Sequence, residues 1–212
     1  MKNKAKIAVL MLRVLSMVSG GGTNLQALID AQQSGIINSG EIALVVSNNS
    51  SAYALTRAQN AGIKTAVVIK KECKNQADFE GRILELLREN EIDMIVLAGF
   101  MSILGAEFVS EYPERIINVH PSLIPSFCGE GFYGLKVHQA ALDYGVKVTG
   151  ATVHFVNEIP DGGKIILQKA VNIEDGDTPE ILQKRVMEQA EWKLLPQAAE
   201  LVSAEIVKER TA

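Results

Sequence analysis

The sequence predicts an α/β fold: an open, mostly parallel twisted sheet of Rossmann-like type, with helices on both faces and antiparallel strands near the C-terminus. Three observations carry this. Short apolar runs of strand length alternate with helix-periodic segments up to residue 120. A glycine-rich turn, SGGG at 19–22, separates a strand-like run from the first helix-like segment. After residue 145 the alternation gives way to two strand-like runs joined by NEIPDGG. Alternating strands and helices imply right-handed βαβ units and a parallel sheet, whereas two runs joined by a tight turn imply an antiparallel hairpin.

Residues 12–18 (LRVLSMV) read as the first strand because they feed directly into the glycines. Residues 1–11 contain a second candidate, KIAVLM, and are read as an N-terminal extension whose order the sequence does not set. A helix is predicted over 23–31, where Leu25, Leu28 and Ile29 share a face. Residues 41–46 (EIALVV) form the next strand, ending in the turn-forming SNNSS. A helix over 53–61 and a strand over 64–69 (KTAVVI) follow. Ile83, Leu84, Leu86 and Leu87 give residues 79–90 helical periodicity, and DMIVLA at 93–98 is a continuous apolar strand. A short helix precedes Tyr112-Pro113, and RIINVH at 115–120 is a strand stopped by Pro121. Strands over 146–156 and 164–171 make the hairpin. A closing helix over 178–203 starts at a good cap, Asp177-Thr178-Pro179-Glu180. No repeat, low-complexity tract or linker divides the 212 residues, so one domain is expected.

Composition narrows the function. A formal net charge of -4 argues against a large nucleic-acid surface. Cys73 and Cys128 lie far apart without CxxC spacing and read as reduced thiols. The basic start and apolar run superficially resemble a signal peptide. Arg13 interrupts that run, no small-x-small site precedes the glycines, and the run is too short for a membrane helix. A cytoplasmic protein without a membrane partner is expected.

The glycine loop sits where open α/β sheets bind ligands, at the carboxyl end of a strand. It fits a dinucleotide site poorly: the third glycine of GxGxxG falls at Leu25, and the second strand ends in Ser47-Asn48-Asn49 rather than in an acid. The Walker pattern is absent too. A small phosphate site, with Thr23 and Asn24 as side-chain donors beside a helix N-terminus, remains open alongside a plain tight turn.

Asn118 and His120 are two apart on a strand and project on one face at its carboxyl end. An amide donor beside an imidazole suits a developing oxyanion in acyl transfer, although both could instead serve the loop backbone before Pro121. Asp161, before Gly162, reads as turn chemistry on its own. His154 reads as a hydrogen-bonded strand residue and His138 as marking a partly buried helical face. Three histidines without HxH or HExxH spacing argue against a metal, and no GxSxG marks a serine hydrolase.

Taken in order, SGGGTNLQ, AGFMSIL, NVHPSLIPSF and VTGATVHFVNEIPDGGKIILQ resemble the folate-dependent phosphoribosylglycinamide (GAR) formyltransferases from about residue 12 to the end. The resemblance implies formyl transfer from 10-formyltetrahydrofolate, a co-substrate, to the glycinamide amine, without a metal. It implies residues 12–115 as a phosphate-binding half and 116–212 as a catalytic and folate-binding half. Gly22, Thr23 and Asn24 match the ribonucleotide phosphate loop, and Glu191 an acidic substrate contact. Met101, Ser102, Ile103 and Leu104 match one wall of the folate pocket; Asn157, Glu158, Ile159, Pro160 and Asp161 match the other, with Asn118 also against the folate. Asn118, His120 and Asp161 match the catalytic trio, and His154 a supporting histidine. The expected mechanism has Asp161 favouring a protonated His120. The implied partners are small molecules only, and the implied assembly is a monomer or homodimer.

The chain departs from that pattern in three places. It carries the eleven-residue leader, it has Gln76 where relatives often place a folate-tail arginine, and it has QAEWKLLP where many carry an EH pair. Rival readings are methionyl-tRNA formyltransferase, which adds a basic RNA-binding domain, formyltetrahydrofolate hydrolase, which adds a regulatory domain, and a non-catalytic nucleotide-binding module.

Overall fold

The computed structural model describes residues 5–11, 21–99 and 104–210. Among the described residues, seven strands form one sheet in the order β3-β2-β1-β4-β5-β6-β7. They are β1 (Ala5–Met11), β2 (Gly40–Ser47), β3 (Lys64–Val67), β4 (Met94–Leu97), β5 (Ile116–His120), β6 (Val148–Phe155) and β7 (Ile165–Asn172). The pairs joining β1 to β5 are parallel, whereas β6 and β7 add antiparallel.

The central strand differs from the one the sequence predicts. Ala5–Met11 fills it, paired with β2 on one side and β4 on the other, so residues 5–11 are part of the sheet and not merely an extension. A central parallel strand is covered on both faces and needs a near-continuous apolar run. AKIAVLM keeps its one charge near its start, whereas LRVLSMV holds Arg13 and Ser16 inside. Residues 12–18 lie outside the described residues.

The helices follow the predicted order: α1 (Thr23–Ser34), α2 (Tyr53–Asn60), α3 (Gln76–Glu89), α4 (Ala106–Ser110), α5 (Leu135–Tyr144), α6 (Pro179–Val186) and α7 (Trp192–Glu209). One apolar core packs α1, α6 and α7 on the sheet through Leu25, Leu28, Leu182, Val186 and Leu195. A second core, with Phe79, Ile83, Leu87 and Phe108, packs α3 and α4 on the sheet. The closing helix runs past the predicted residue 203 to Glu209, and a π turn over Met187–Glu191 joins α6 to α7. No helix among the described residues is long and apolar enough to cross a membrane.

Two features place chemistry at one end of the sheet. Strand β5 delivers Asn118 and His120 opposite His154 and Thr152 of β6. The β6–β7 register shifts between Val153 and His154, leaving Ile166 of β7 as the extra residue beside His154, and such irregularities are common beside active sites.

Candidate active site

Asn118, His120, His154 and Asp161 converge. Asp161 comes from the β6–β7 turn with a left-handed backbone (φ 53), which Asp tolerates better than most residues. Its Oδ2 accepts the Gly129 amide at 2.8 Å and lies 3.4 Å from His120 Nδ1. Its Oδ1 lies 3.5 Å from His154 Nε2. His120 Nε2 donates to the Phe127 carbonyl at 2.8 Å, so the neutral ring turns a bare Nδ1 toward the carboxylate. His154 Nδ1 donates to the Phe155 carbonyl at 2.7 Å, leaving Nε2 to accept from Asn118 Nδ2 at 3.3 Å. The sequence alone did not bring Asp161 to His120; the structure does.

Burial sets the charges. It pushes the His120 pKa below the ordinary imidazole value; Asp161 and the Phe127 carbonyl pull it up without prevailing, and His154 adds to the lowering. The expectation that Asp161 keeps His120 protonated is therefore corrected, because desolvation outweighs the ion pair. Asp161 itself is held below its usual range. Burial opposes its ionisation, but the neighbouring His154 and His120 rings and the Gly129 amide outweigh burial. His138 is fully buried rather than on a partly buried face, and neither ring nitrogen has a hydrogen-bond partner among the described residues. Burial, and secondarily His120, pushes its pKa down to about 4.

A second cluster joins the two ends of the chain. Gly22 takes a left-handed conformation (φ 68) at the start of α1, and no side chain caps that end. Thr23 and Asn24 open the helix, where first-turn amides suit an anion. Asn24 Nδ2 donates to Glu191 Oε2 at 2.9 Å across 167 positions of sequence, while Asn24 Oδ1 is buried without a partner among the described residues. Glu191 lies on the π turn, a geometry frequent at functional sites. Burial pushes its carboxyl up to about 7, against the Asn24 hydrogen bond. Arg57 was not legible as part of this region; its Nε donates to the Gly21 carbonyl at 2.6 Å and its Nη1 to Gln26 Oε1 at 2.7 Å.

The raised Glu191 pKa makes a measurable prediction. The folded state holds a proton that the unfolded chain releases near pH 4.3, so this residue's contribution to stability falls as pH rises from about 4 to about 7. Glu191→Gln keeps an oxygen for Asn24 and removes that titration. Its melting temperature at pH 8 is expected to exceed the parent's by a few degrees, and at pH 4 to match it. Equal melting temperatures at both pH values overturn the assignment.

Of the folate-pocket candidates, Leu104 is buried, whereas Met101, Ser102 and Ile103 lie outside the described residues. Asn157, Glu158, Ile159 and Pro160 form the turn leading to Asp161, with Asn157 Oδ1 accepting the Ile159 amide at 3.0 Å and Ile159 itself 60% exposed. Gln76 Nε2 donates to Glu80 Oε1 at 2.5 Å, and that oxygen also accepts the Gly105 amide at 2.8 Å. Gln76 thus braces the residue after the first wall.

A family model described as formyl transferase matches residues 12–199. The human trifunctional purine biosynthetic protein adenosine-3 is 44% identical over 207 residues, which cover 98% of this chain and 19% of that protein. The chain thus spans about a fifth of that relative's length. Phosphoribosylglycinamide formyltransferase of Haemophilus influenzae is 41% identical over 186 residues, covering 88% of this chain and 84% of that one. The crystal structure of glycinamide ribonucleotide transformylase 1 from Symbiobacterium toebii superposes with a TM-score of 0.85 at 37% identity, covering 95% of this chain and 89% of the other. Phosphoribosylglycinamide formyltransferase from Brucella melitensis gives 0.83 at 39%, covering 95% and 97%. With nearly the whole chain matched, and with relatives of its own length among the matches, the protein belongs to the formyl transferase family.

Proposed function

We propose that this chain is a phosphoribosylglycinamide formyltransferase, moving a formyl group from 10-formyltetrahydrofolate to the amine of 5'-phosphoribosylglycinamide in purine (IMP) biosynthesis, in the cytoplasm. One observation carries the reading: an amide donor, a buried neutral imidazole and an ionised carboxylate meet at the end of β5. The names of the relatives supply the acceptor, and the motif resemblance supplies the formyl donor.

The chemistry follows from that protonation pattern. As the amine attacks the formyl carbon, a C–N bond forms and the carbonyl oxygen gains negative charge, for which Asn118 Nδ2 is the neutral donor. The amine must lose one proton, and the bare Nδ1 of His120 takes it. Asp161 stabilises the resulting imidazolium from 3.4 Å. As the tetrahedral intermediate collapses, the same proton passes to the departing folate nitrogen. His120 ends neutral, so atoms and charge balance. At the other cluster, the α1 amides with Thr23 and Asn24 would take the phosphate, and Glu191 a polar group of the substrate. The pterin would lie against the 157–161 turn, where Ile159 is exposed.

The deciding assay incubates the protein with 10-formyltetrahydrofolate, with and without GAR, and follows loss of the formyl donor. GAR-dependent loss is expected. GAR-independent loss favours the hydrolase, and no loss favours a binding module; either result overturns the proposal.

A further inference from the structure

A row of three side chains crosses the antiparallel part of the sheet: His120 on β5 faces Thr152 on β6, which faces Gln168 on the edge strand β7. The row is hydrogen-bonded to the loop that leaves His120. Thr152 Oγ1 donates to the Ser122 carbonyl at 2.7 Å, and accepts the Ile124 amide at 3.1 Å and Gln168 Nε2 at 2.9 Å. A hydroxyl has one proton and two acceptor positions, so all three are taken and the proton's direction is fixed. The same Gln168 Nε2 also donates to the Ile124 carbonyl at 3.0 Å. Residues 122–126 then close on themselves, with Ser122 Oγ donating to the Ser126 carbonyl at 2.6 Å and the Ser126 amide to the Leu123 carbonyl at 3.0 Å. The next carbonyl, Phe127, holds His120 Nε2, and two residues on the Gly129 amide holds Asp161.

We propose that Gln168 is a positioning residue for formyl transfer, seating through Thr152 and the 122–126 turn the Phe127 carbonyl that orients the His120 ring. Gln168 touches none of the catalytic groups. Its two hydrogen bonds fix where the loop begins, and the loop fixes which nitrogen of His120 carries the proton. If the turn loosens, Phe127 withdraws, the Nε2–H tautomer loses its acceptor, and Nδ1 is no longer reserved for the incoming proton. Thr152 and Gln168 appear in the sequence as ordinary strand residues, which is why neither is legible as functional.

The inference rests on the formyl-transfer reading, and its test separates the two. Gln168→Glu is nearly isosteric and removes both N–H donors; Lys169→Ala, the neighbouring exposed residue, is the control. In Gln168→Glu, kcat is expected to fall about tenfold with both KM values within about twofold of the parent's, the pattern of a misplaced catalytic group. In the same variant the ring ¹⁵N shifts of His120 are expected to move from a defined Nε2–H tautomer toward a mixture. An unmoved His120 ring, a kcat like the parent's, or an equal loss in Lys169→Ala overturns the positioning role. A parent protein without GAR-dependent turnover, its ring shifts still responding to Gln168→Glu, overturns the functional reading instead.

Discussion

Asp161→Asn is expected to lower kcat by at least about a hundredfold while the protein stays folded, a loss on the scale of removing one transition-state stabiliser. The change separates charge from scaffold. An asparagine oxygen still accepts the Gly129 amide, so the turn and the loop keep their tie. What disappears is the negative charge 3.4 Å from His120 Nδ1, and with it the stabilisation of the imidazolium formed when the amine gives up its proton. A pH shift accompanies the loss. His120 must be neutral to act, so kcat/KM falls as pH drops through its pKa, which already lies below the ordinary value of about 6.5. Asp161 pulls that pKa upward, so its neutralisation moves the acid limb to still lower pH. Steady-state rates across pH, with circular dichroism to confirm folding, decide the matter. Parent-like turnover, or an acid limb shifted upward, removes Asp161 from the mechanism.

Gly163→Ala is expected to destabilise the protein by about 3 kcal/mol, lowering the melting temperature by roughly 6–12 °C. A Cβ at this position lies 1.7 Å from the Phe155 carbonyl oxygen and 2.7 Å from its carbon. Both are backbone atoms with nowhere to go, because the Phe155 amide is tied to Lys164 at 2.9 Å. The same oxygen accepts His154 Nδ1, so the clash also disturbs the ring beside Asp161. Gly162→Ala is the milder contrast: its Cβ meets Ile159 Cγ2 at 2.7 Å, Ile159 Cβ at 2.8 Å and the Ile159 carbonyl oxygen at 3.2 Å, in an exposed turn, so a smaller loss is expected. Thermal melts of the two variants give the comparison, and equal melting temperatures contradict the close approach.

The strand-end residues were legible because their signal is local. Asn118 and His120 sit two apart in an apolar run closed by proline, and strand geometry alone puts them on one face. Asp161 gained meaning only from the joint pattern of motifs, since the Asp-Gly pair by itself describes a turn. The Phe127 carbonyl and the Gly129 amide, which aim His120 and Asp161, could not be read at all, because backbone groups leave no mark in residue identity. The protonation of His120 was misjudged for a related reason. The family resemblance implies the nearby carboxylate, but the burial that outweighs it belongs to the fold. The first strand was ambiguous because two apolar runs follow one another, and adjacency to the glycines favoured the wrong one for the central position.

The π turn also makes the closing helix two rods spliced out of phase. Leu182 and Val186 are buried before the splice, Ala190 within it, and Leu195, Ala198, Val202 and Ile206 after it. One residue more than an α-turn is what lets both stripes face the core while Glu191 points at Asn24. Trimmed by a single residue to ordinary α geometry, the rod beyond the cut would turn by about 100°, forcing a choice between hydrophobic register and the carboxylate. Helix length here thus decides, to the residue, whether Glu191 reaches Asn24.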